Sequence, residues 1–235
     1  GLADVWTTAP VSVFKGGPAA GLMGARHLVK KYGDKIITTD MGGTTFDVGI
    51  ICEGEPLPGD LRPVIDRWLI GGNMLEVTSI GAGSGAVFRV REDRSGQLEM
   101  LTRTAGSVPG PAAYDLGASD PALLDADLLL GYLDPDNFSG GARRLNRERA
   151  HRAIQEKIAR PLGISVTEAA ARMRKMADEW MGHTLLMETV KRGFDPRQFT
   201  LFAFGGAGPA HCCDYTRALQ PKRIVTFPFS PVFCA

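Results

Sequence analysis

The chain has 235 residues, of which 44% are hydrophobic, 23% are charged and 29 are glycine. That is enough length and apolar content for one or two packed cores, and it excludes a disordered or fibrous protein. Its 27 basic residues are matched by 26 acidic ones, so no net field favours nucleic acid or an anionic membrane, and any phosphate it binds must be held locally. No run approaches the roughly 20 apolar residues of a membrane helix and no signal-peptide pattern is seen, so the expectation is a cytoplasmic protein without nucleic-acid or membrane partners.

An extended lead over residues 1–15 precedes Gly16-Gly17-Pro18, which opens a helix through Tyr32 on Leu22, Met23, Ala25, Leu28 and Val29, with Gly33 as its stop. Lys35 to Thr39 reads as a strand, Asp40-Met41-Gly42-Gly43-Thr44 as a tight turn, and Thr45 to Cys52 as the strand returning from it. The result is a hairpin with hydroxyls and a carboxylate at its tip. A polar, Pro-rich stretch over 53–63 leads to an apolar region over 75–90 that contains Ile80-Gly81-Ala82-Gly83-Ser84-Gly85. The Gly- and Pro-dense segment 96–117 reads as an ordered loop around Ser107-Val108-Pro109-Gly110-Pro111.

Asn146 is placed to cap a helix reaching about Leu162. Ser165-x-x-Glu168 forms a capping box for a long helix to Arg192, stopped by Gly193. Met173, Met176, Ala177, Trp180, Thr184 and Met187 share one face of it, expected to be core packing. The chain then reads strand over 200–204, glycine loop Gly205-Gly206-Ala207-Gly208, helix over 209–219 and strand over 223–227. This is an α/β pattern with an inserted helical and loop part at about 95–195. Gly1 is no initiator methionine and the sequence stops at Phe233-Cys234-Ala235 in the middle of an apolar stretch, so a piece of a longer polypeptide is expected.

Cys52, Cys212, Cys213 and Cys234 include no C-x-x-C pair, and His27, His151, His183 and His211 are scattered, so a zinc site is not expected. The sharpest chemistry lies in Asp40-Met41-Gly42-Gly43-Thr44-Thr45-Phe46-Asp47-Val48-Gly49. Gly42 and Gly43 lack Cβ atoms where backbone N–H groups could approach a phosphate, and Thr44 and Thr45 can add hydroxyl donors. Asp40 and Asp47 are acceptors suited to holding Mg²⁺ through water or to orienting a reacting group. The plainer alternative is a hairpin turn with solvated polar residues. Gly205 to Gly208 after a strand also suggests a dinucleotide loop, but G-G-A-G-P-A is not the G-x-G-x-x-G register.

D-x-G-G-T-T-x-D between apolar strands resembles the second phosphate-binding hairpin of the actin, sugar kinase and heat-shock ATPase superfamily, and Gly205-Gly206-Ala207-Gly208-Pro209 resembles its adenosine loop. Together with Phe14-Lys15-Gly16-Gly17-Pro18-Ala19-Ala20-Gly21, Gly110-Pro111-Ala112-Ala113-Tyr114, Asp125-Ala126-Asp127-Leu128 and Ser230-Pro231-Val232-Phe233, the order is similar to that of the hydantoinase A/oxoprolinase family, particularly its acetone and acetophenone carboxylase branch.

The resemblance implies an actin-like ATPase (ribonuclease H-like) fold, with residues 1–235 as its second nucleotide-binding domain. It implies ATP and Mg²⁺ as cofactors and an activity that phosphorylates a ketone enolate, bicarbonate or amide oxygen. It assigns Asp40 to Mg²⁺ through water and as a catalytic group, and Asp47 to catalysis in support of the hairpin. Gly42, Gly43, Thr44, Thr45, Gly81, Gly83, Gly205, Gly206, Ala207 and Gly208 are assigned to the nucleotide. The family's first-domain D-x-G-G-T hairpin has no copy here, so the implied partners are an N-terminal domain of the same chain or a separate subunit, together with a hydantoinase B-like subunit. The isolated chain is then expected to be inactive, or to serve as an assembly domain. Ser84 stands where the family has glycine, which limits backbone freedom in that loop. His211 is expected either to donate to phosphate as a neutral imidazole or to pack, and Cys212 and Cys213 to fill the helix interface.

Overall fold

The expected hairpin forms the centre of a sheet. In the computed structural model, which describes residues 16–59, 64–69, 75–93 and 96–234, strand β1 (Ile36–Met41) pairs antiparallel with β2 (Phe46–Cys52). The lead over 1–15 and residues 60–63 of the Pro-rich stretch lie outside the described residues.

Helices α1 (Gly16–His27) and α2 (Val29–Tyr32) precede β1. The single helix expected there is broken at Leu28, and Gly33, at φ 105°, ends it by donating to Val29 O. Beyond β2 come β3 (Glu55–Pro56), a two-stranded hairpin of β4 (Val64–Ile65) and β5 (Trp68–Leu69), then β6 (Val77–Ile80), β7 (Ala86–Val90) and β8 (Leu98–Thr104). Helices α3 (Leu123–Leu130), α4 (Arg147–Ile154), α5 (Arg160–Leu162) and α6 (Val166–Val190) follow, with a π turn over Gln155–Ala159 between α4 and α5. The chain returns through β9 (Thr200–Phe204), α7 (Gly208–Tyr215) and β10 (Arg223–Thr226).

The main sheet runs β10-β9-β1-β2-β3, with β6 also on the outer edge of β2. β9 is parallel to both β1 and β10, whereas β2 is antiparallel to β1, β3 and β6. Alternate side chains of a strand point to opposite faces, and this sorts the core into two layers. Ile36, Ile51, Phe202 and Phe204 pack with Leu22 and Ala25 of α1; Ile37, Val48, Ile50, Leu201 and Ala203 pack with α6 and α7. This mixed α/β arrangement around a central sheet accords with the sequence pattern. Among the described residues no helix is long and apolar enough to cross a membrane.

Two expectations need correction. The segment 96–117 is not all loop, because Leu98–Thr104 is strand β8, paired with β7; glycines at its borders hide an alternation in which Leu98 and Met100 face the core. The buried line of α6 is Met173, Ala177, Met181 and Leu185. Met176, Trp180 and Thr184 are half-buried at its flank and Met187 is exposed. At about 100° per residue, Met176, Trp180 and Met187 centre about 100° around the helix from the line of Met173, Ala177, Met181 and Leu185. Both N-caps form, Asn146 accepting from Arg149 N–H at 3.1 Å and Ser165 from Glu168 N–H at 3.1 Å, but the expected capping box is half made, because the Glu168 carboxylate pairs with Arg172.

Candidate functional site

The hairpin tip and the second glycine loop are in direct contact. Asp40 lies opposite Asp47 across β1 and β2 and beside Phe204 of β9, so the chain leaving β9 passes over Asp40 and Met41. Gly205 has φ 80°, and a Cβ there would lie 2.5 Å from Met41 O, 2.7 Å from Met41 N and against the Asp40 carboxylate. Only glycine supplies both this backbone region and this approach. Ala207 N–H then donates to Met41 O at 3.0 Å, and α7 starts at Gly208.

Cross-strand partners of an antiparallel pair share a face, and Asp40 and Asp47 both point to the α1 side of the sheet with Ile36 and Ile51. Their supports differ. Asp47 is buried and accepts from the Thr45 hydroxyl at 3.0 Å and from the Ser79 hydroxyl. Asp40 is half-buried and accepts from the Cys234 thiol at 2.8 Å. Burial pushes that thiol up to about 12, and its hydrogen bond to Asp40 adds to the shift, so it is a protonated donor at neutral pH.

Gly43 and Thr44 are exposed at the tip, and the space where a Cβ of Gly42 or Gly43 would stand is open. This open space lies where the sequence reading expected backbone N–H groups to approach a phosphate. Gly42 N–H turns inward to Thr45 O at 3.0 Å. The 81–85 loop lies against the tip: Ser84 N–H donates to Gly42 O at 3.0 Å and Gly85 N–H to Gly43 O at 2.8 Å. Gly83 N–H goes to Thr44 O at 3.3 Å, and a Cβ on Gly83 would lie 2.6 Å from Thr44 backbone atoms. Gly81 faces Thr102 O of β8 instead. Thus Asp40, Gly42, Gly43, Thr44, Thr45, Asp47, Gly83 and Gly205 to Gly208 form one constellation. Gly83 meets the back of the tip, the Thr45 hydroxyl is engaged with Asp47, and Gly81 stands apart. Ser84 does not adopt a positive φ, so the missing glycine costs this loop nothing.

Of the two readings of His211, a neutral donor to phosphate or a packed side chain, its burial fits the second, although the ring is not neutral. It is fully buried, with Nδ1 2.7 Å from Asp178 Oδ1 and Nε2 3.0 Å from Asp127 Oδ2. Burial lowers its pKa, but the hydrogen bonds to the two carboxylates outweigh that and raise it from 6.5 to about 9. With both carboxylates ionised, both ring nitrogens must donate, which makes the ring an imidazolium. Arg174 joins the same cluster at 2.6 Å from Asp127 and 3.3 Å from Asp214. Cys212 is buried as expected, but Cys213 is exposed and lies outside the interface.

Asp125, buried in the first turn of α3, accepts from the N–H groups of Ala112, Ala113 and Ala122. The one sequence signal for these groups was the D-x-D pair inside the apolar run Leu123-Leu124-Asp125-Ala126-Asp127-Leu128, since charges in such a run need buried partners. A cleft of about 700 Å³ beside the cluster is lined by Leu130, Tyr132, Arg174, Gly182 and Leu186.

The family model for hydantoinase/oxoprolinase proteins matches residues 3–235. The chain is 46% identical over 237 residues to the acetophenone carboxylase gamma subunit of Aromatoleum aromaticum, an alignment that takes in 100% of this chain and 32% of that protein. Among solved structures, nucleotide-free acetone carboxylase superposes with a TM-score of 0.86 at 33% identity, covering 93% of this chain and 31% of that one. The ATP-dependent caprolactamase of Pseudomonas jessenii gives a TM-score of 0.76 at 32% identity, over 95% of this chain and 33% of that one. The chain therefore spans about a third of the length of the relatives it matches.

Proposed function

The chain belongs to the hydantoinase/oxoprolinase family, and from that premise we propose that it supplies one side of the ATP site in an ATP-dependent carboxylase complex acting on a ketone. The carrying observation is the packing of Gly205 on Asp40 and Met41, which sets the open Gly42–Gly43 tip and the start of α7 beside one another. The sheet order, with β1 antiparallel to β2 and parallel to β9, supports an actin-like, ribonuclease H-like reading of the fold. In that reading residues 1–235 are the second nucleotide-binding domain, and the segment at about 95–195 is an insertion between sheet strands.

The residues fit ATP with Mg²⁺. Open space at Gly42 and Gly43 admits a phosphate against the backbone, Thr44 adds an exposed hydroxyl, and Asp40 is a held acceptor for a hydrated cation. When bound, ATP supplies the phosphoryl group that activates an otherwise inert enolate or bicarbonate oxygen. The chain's own part is positioning and charge stabilisation. Gly42, Gly43 and Thr44 would meet the phosphates, Asp40 would hold the hydrated cation, and Asp47, Thr45 and Gly83 hold the tip in shape. Gly205, Gly206, Ala207 and Gly208 would take the adenosine end. The remaining half of the clamp comes from an N-terminal domain or another subunit, with a hydantoinase B-like partner, and the isolated chain does not turn over.

Asp40→Ala in the full-length complex should abolish ketone-stimulated ATP hydrolysis; unchanged hydrolysis would overturn the assignment. The likeness to caprolactamase favours a second reading, in which the acceptor is a lactam or hydantoin amide. Nucleotide turnover with ketone plus bicarbonate, compared with turnover on lactams and hydantoins, decides between the two.

A further inference from the structure

Both glycine loops are tied, by separate routes, to the buried guanidinium of Arg174. The first route runs through α3. Arg174 Nη1 donates to Asp127 Oδ1 at 2.6 Å. Leu124 N–H, one turn earlier in α3, donates to Ser84 O at 2.7 Å, and Ser84 and Gly85 in turn hold Gly42 O and Gly43 O. The second route runs through α7. Arg174 Nη2 donates to Ala210 O at 2.6 Å, Ala210 N–H to Ala207 O at 3.0 Å, and Ala207 N–H to Met41 O at 3.0 Å.

We propose that Arg174 is a positioning residue that fixes the Gly42–Thr44 tip and the Gly205–Gly208 loop relative to one another, by spanning α3 and α7 from within the core. The functional meaning rests on the reading of these loops as the nucleotide site. The planar fork suits the task, because Nη1 and Nη2 reach two elements at a fixed separation, which a lysine ammonium cannot do. The fork is itself held. Asp178 lies 3.5 Å from Nε, Asp214 lies 3.3 Å from Nη2, and the Tyr132 ring covers the guanidinium carbon at 3.8 Å. His211 bridges Asp127 and Asp178 beneath it. Arg174 touches neither loop directly, so removing it should leave the sheet intact while both loops loosen together.

The test is hydrogen exchange on the full-length chain without nucleotide, comparing wild type, Arg174→Met, Arg174→Lys and Ile154→Ala, a core truncation in α4 that belongs to neither route. Arg174→Met should speed exchange about tenfold in peptides covering both Gly42–Thr45 and Gly205–Ala207, with the β1 and β9 interiors unchanged. Arg174→Lys should loosen both loops as well, and it remains the decisive variant if the methionine form does not fold. Loosening of neither loop, of one alone, or of both equally in Ile154→Ala overturns the proposal. MgATP KM is read separately, on the same variants in the full-length complex. Paired loosening without a rise in KM means that positioning holds and the nucleotide reading fails; unpaired exchange refutes positioning whatever KM does.

Discussion

Replacing His211 with glutamine should flatten the neutral-to-alkaline side of the chain's stability curve. The imidazole is buried between Asp178 and Asp127 at 2.7 and 3.0 Å, and its pKa stands at about 9 against 6.5 for an ordinary histidine. At about 1.4 kcal/mol per unit, that shift is worth roughly 3 kcal/mol. The folded value is raised above the unfolded one, so the contribution is complete below pH 6.5, shrinks as pH climbs from there, and is lost once pH passes about 9. For a chain of this size the loss corresponds to a fall in Tm of about 6–12 °C. Thermal unfolding of the full-length protein at about pH 6, 7.5 and 9 should show most of the fall in wild type, with His211→Gln starting lower and staying level up to about pH 9. Burial pushes Cys212 up to about 11 and Cys234 up to about 12, from 9.0. Those thiols therefore add slope only above pH 9, and the lower window belongs to His211. Parallel curves for the two proteins would refute the buried imidazolium.

Gly205→Ala combines a positive φ with a collision against Met41 and the Asp40 carboxylate. It should cost about 2–3 kcal/mol in urea unfolding and abolish binding of a fluorescent ATP analogue; wild-type behaviour in both would refute the contact between the loops. Ser165→Ala removes the N-cap of α6 and should lower unfolding free energy by about 1 kcal/mol, measured by urea titration. In the same assay Met181→Ala should cost about 2–5 kcal/mol, whereas Met187→Ala, at an exposed position, should stay within about 0.5 kcal/mol. A larger loss at Met187 would restore the stripe first read from the sequence.

What could be read from the sequence was what neighbouring residues decide among themselves. The alternation around Gly42-Gly43 marked a hairpin. Thr200 to Phe204 was bounded by its glycines, and Asn146 and Ser165 announced helix starts that form. β8 escaped because flanking glycines and prolines outweighed a short apolar signal, Leu98-Glu99-Met100-Leu101, followed by three polar residues. The core line of α6 escaped because a helix buried on more than one side carries polar residues inside it: Arg174 and Asp178 are as buried as much of the apolar face. The partners of His211 are 33 and 84 residues away. Spacing along the chain carries no information about which distant carboxylate will face a given imidazole, so its charge state could be found only in three dimensions.

Asp125 has a consequence for how this chain can vary. One buried carboxylate gathers the amides of Ala112, Ala113 and Ala122, so the approach of the preceding loop to the body of the protein is fixed at its base. Gly106, Ser107 and Val108, at the outer end of that loop, are exposed. The loop can therefore be lengthened, shortened or exchanged at its tip without disturbing its anchor, provided that Ala112 and Ala113 keep their places. A peptide tag or a recognition loop grafted between Gly106 and Val108 would be carried on a rigid stem, at a site where added chain length costs little.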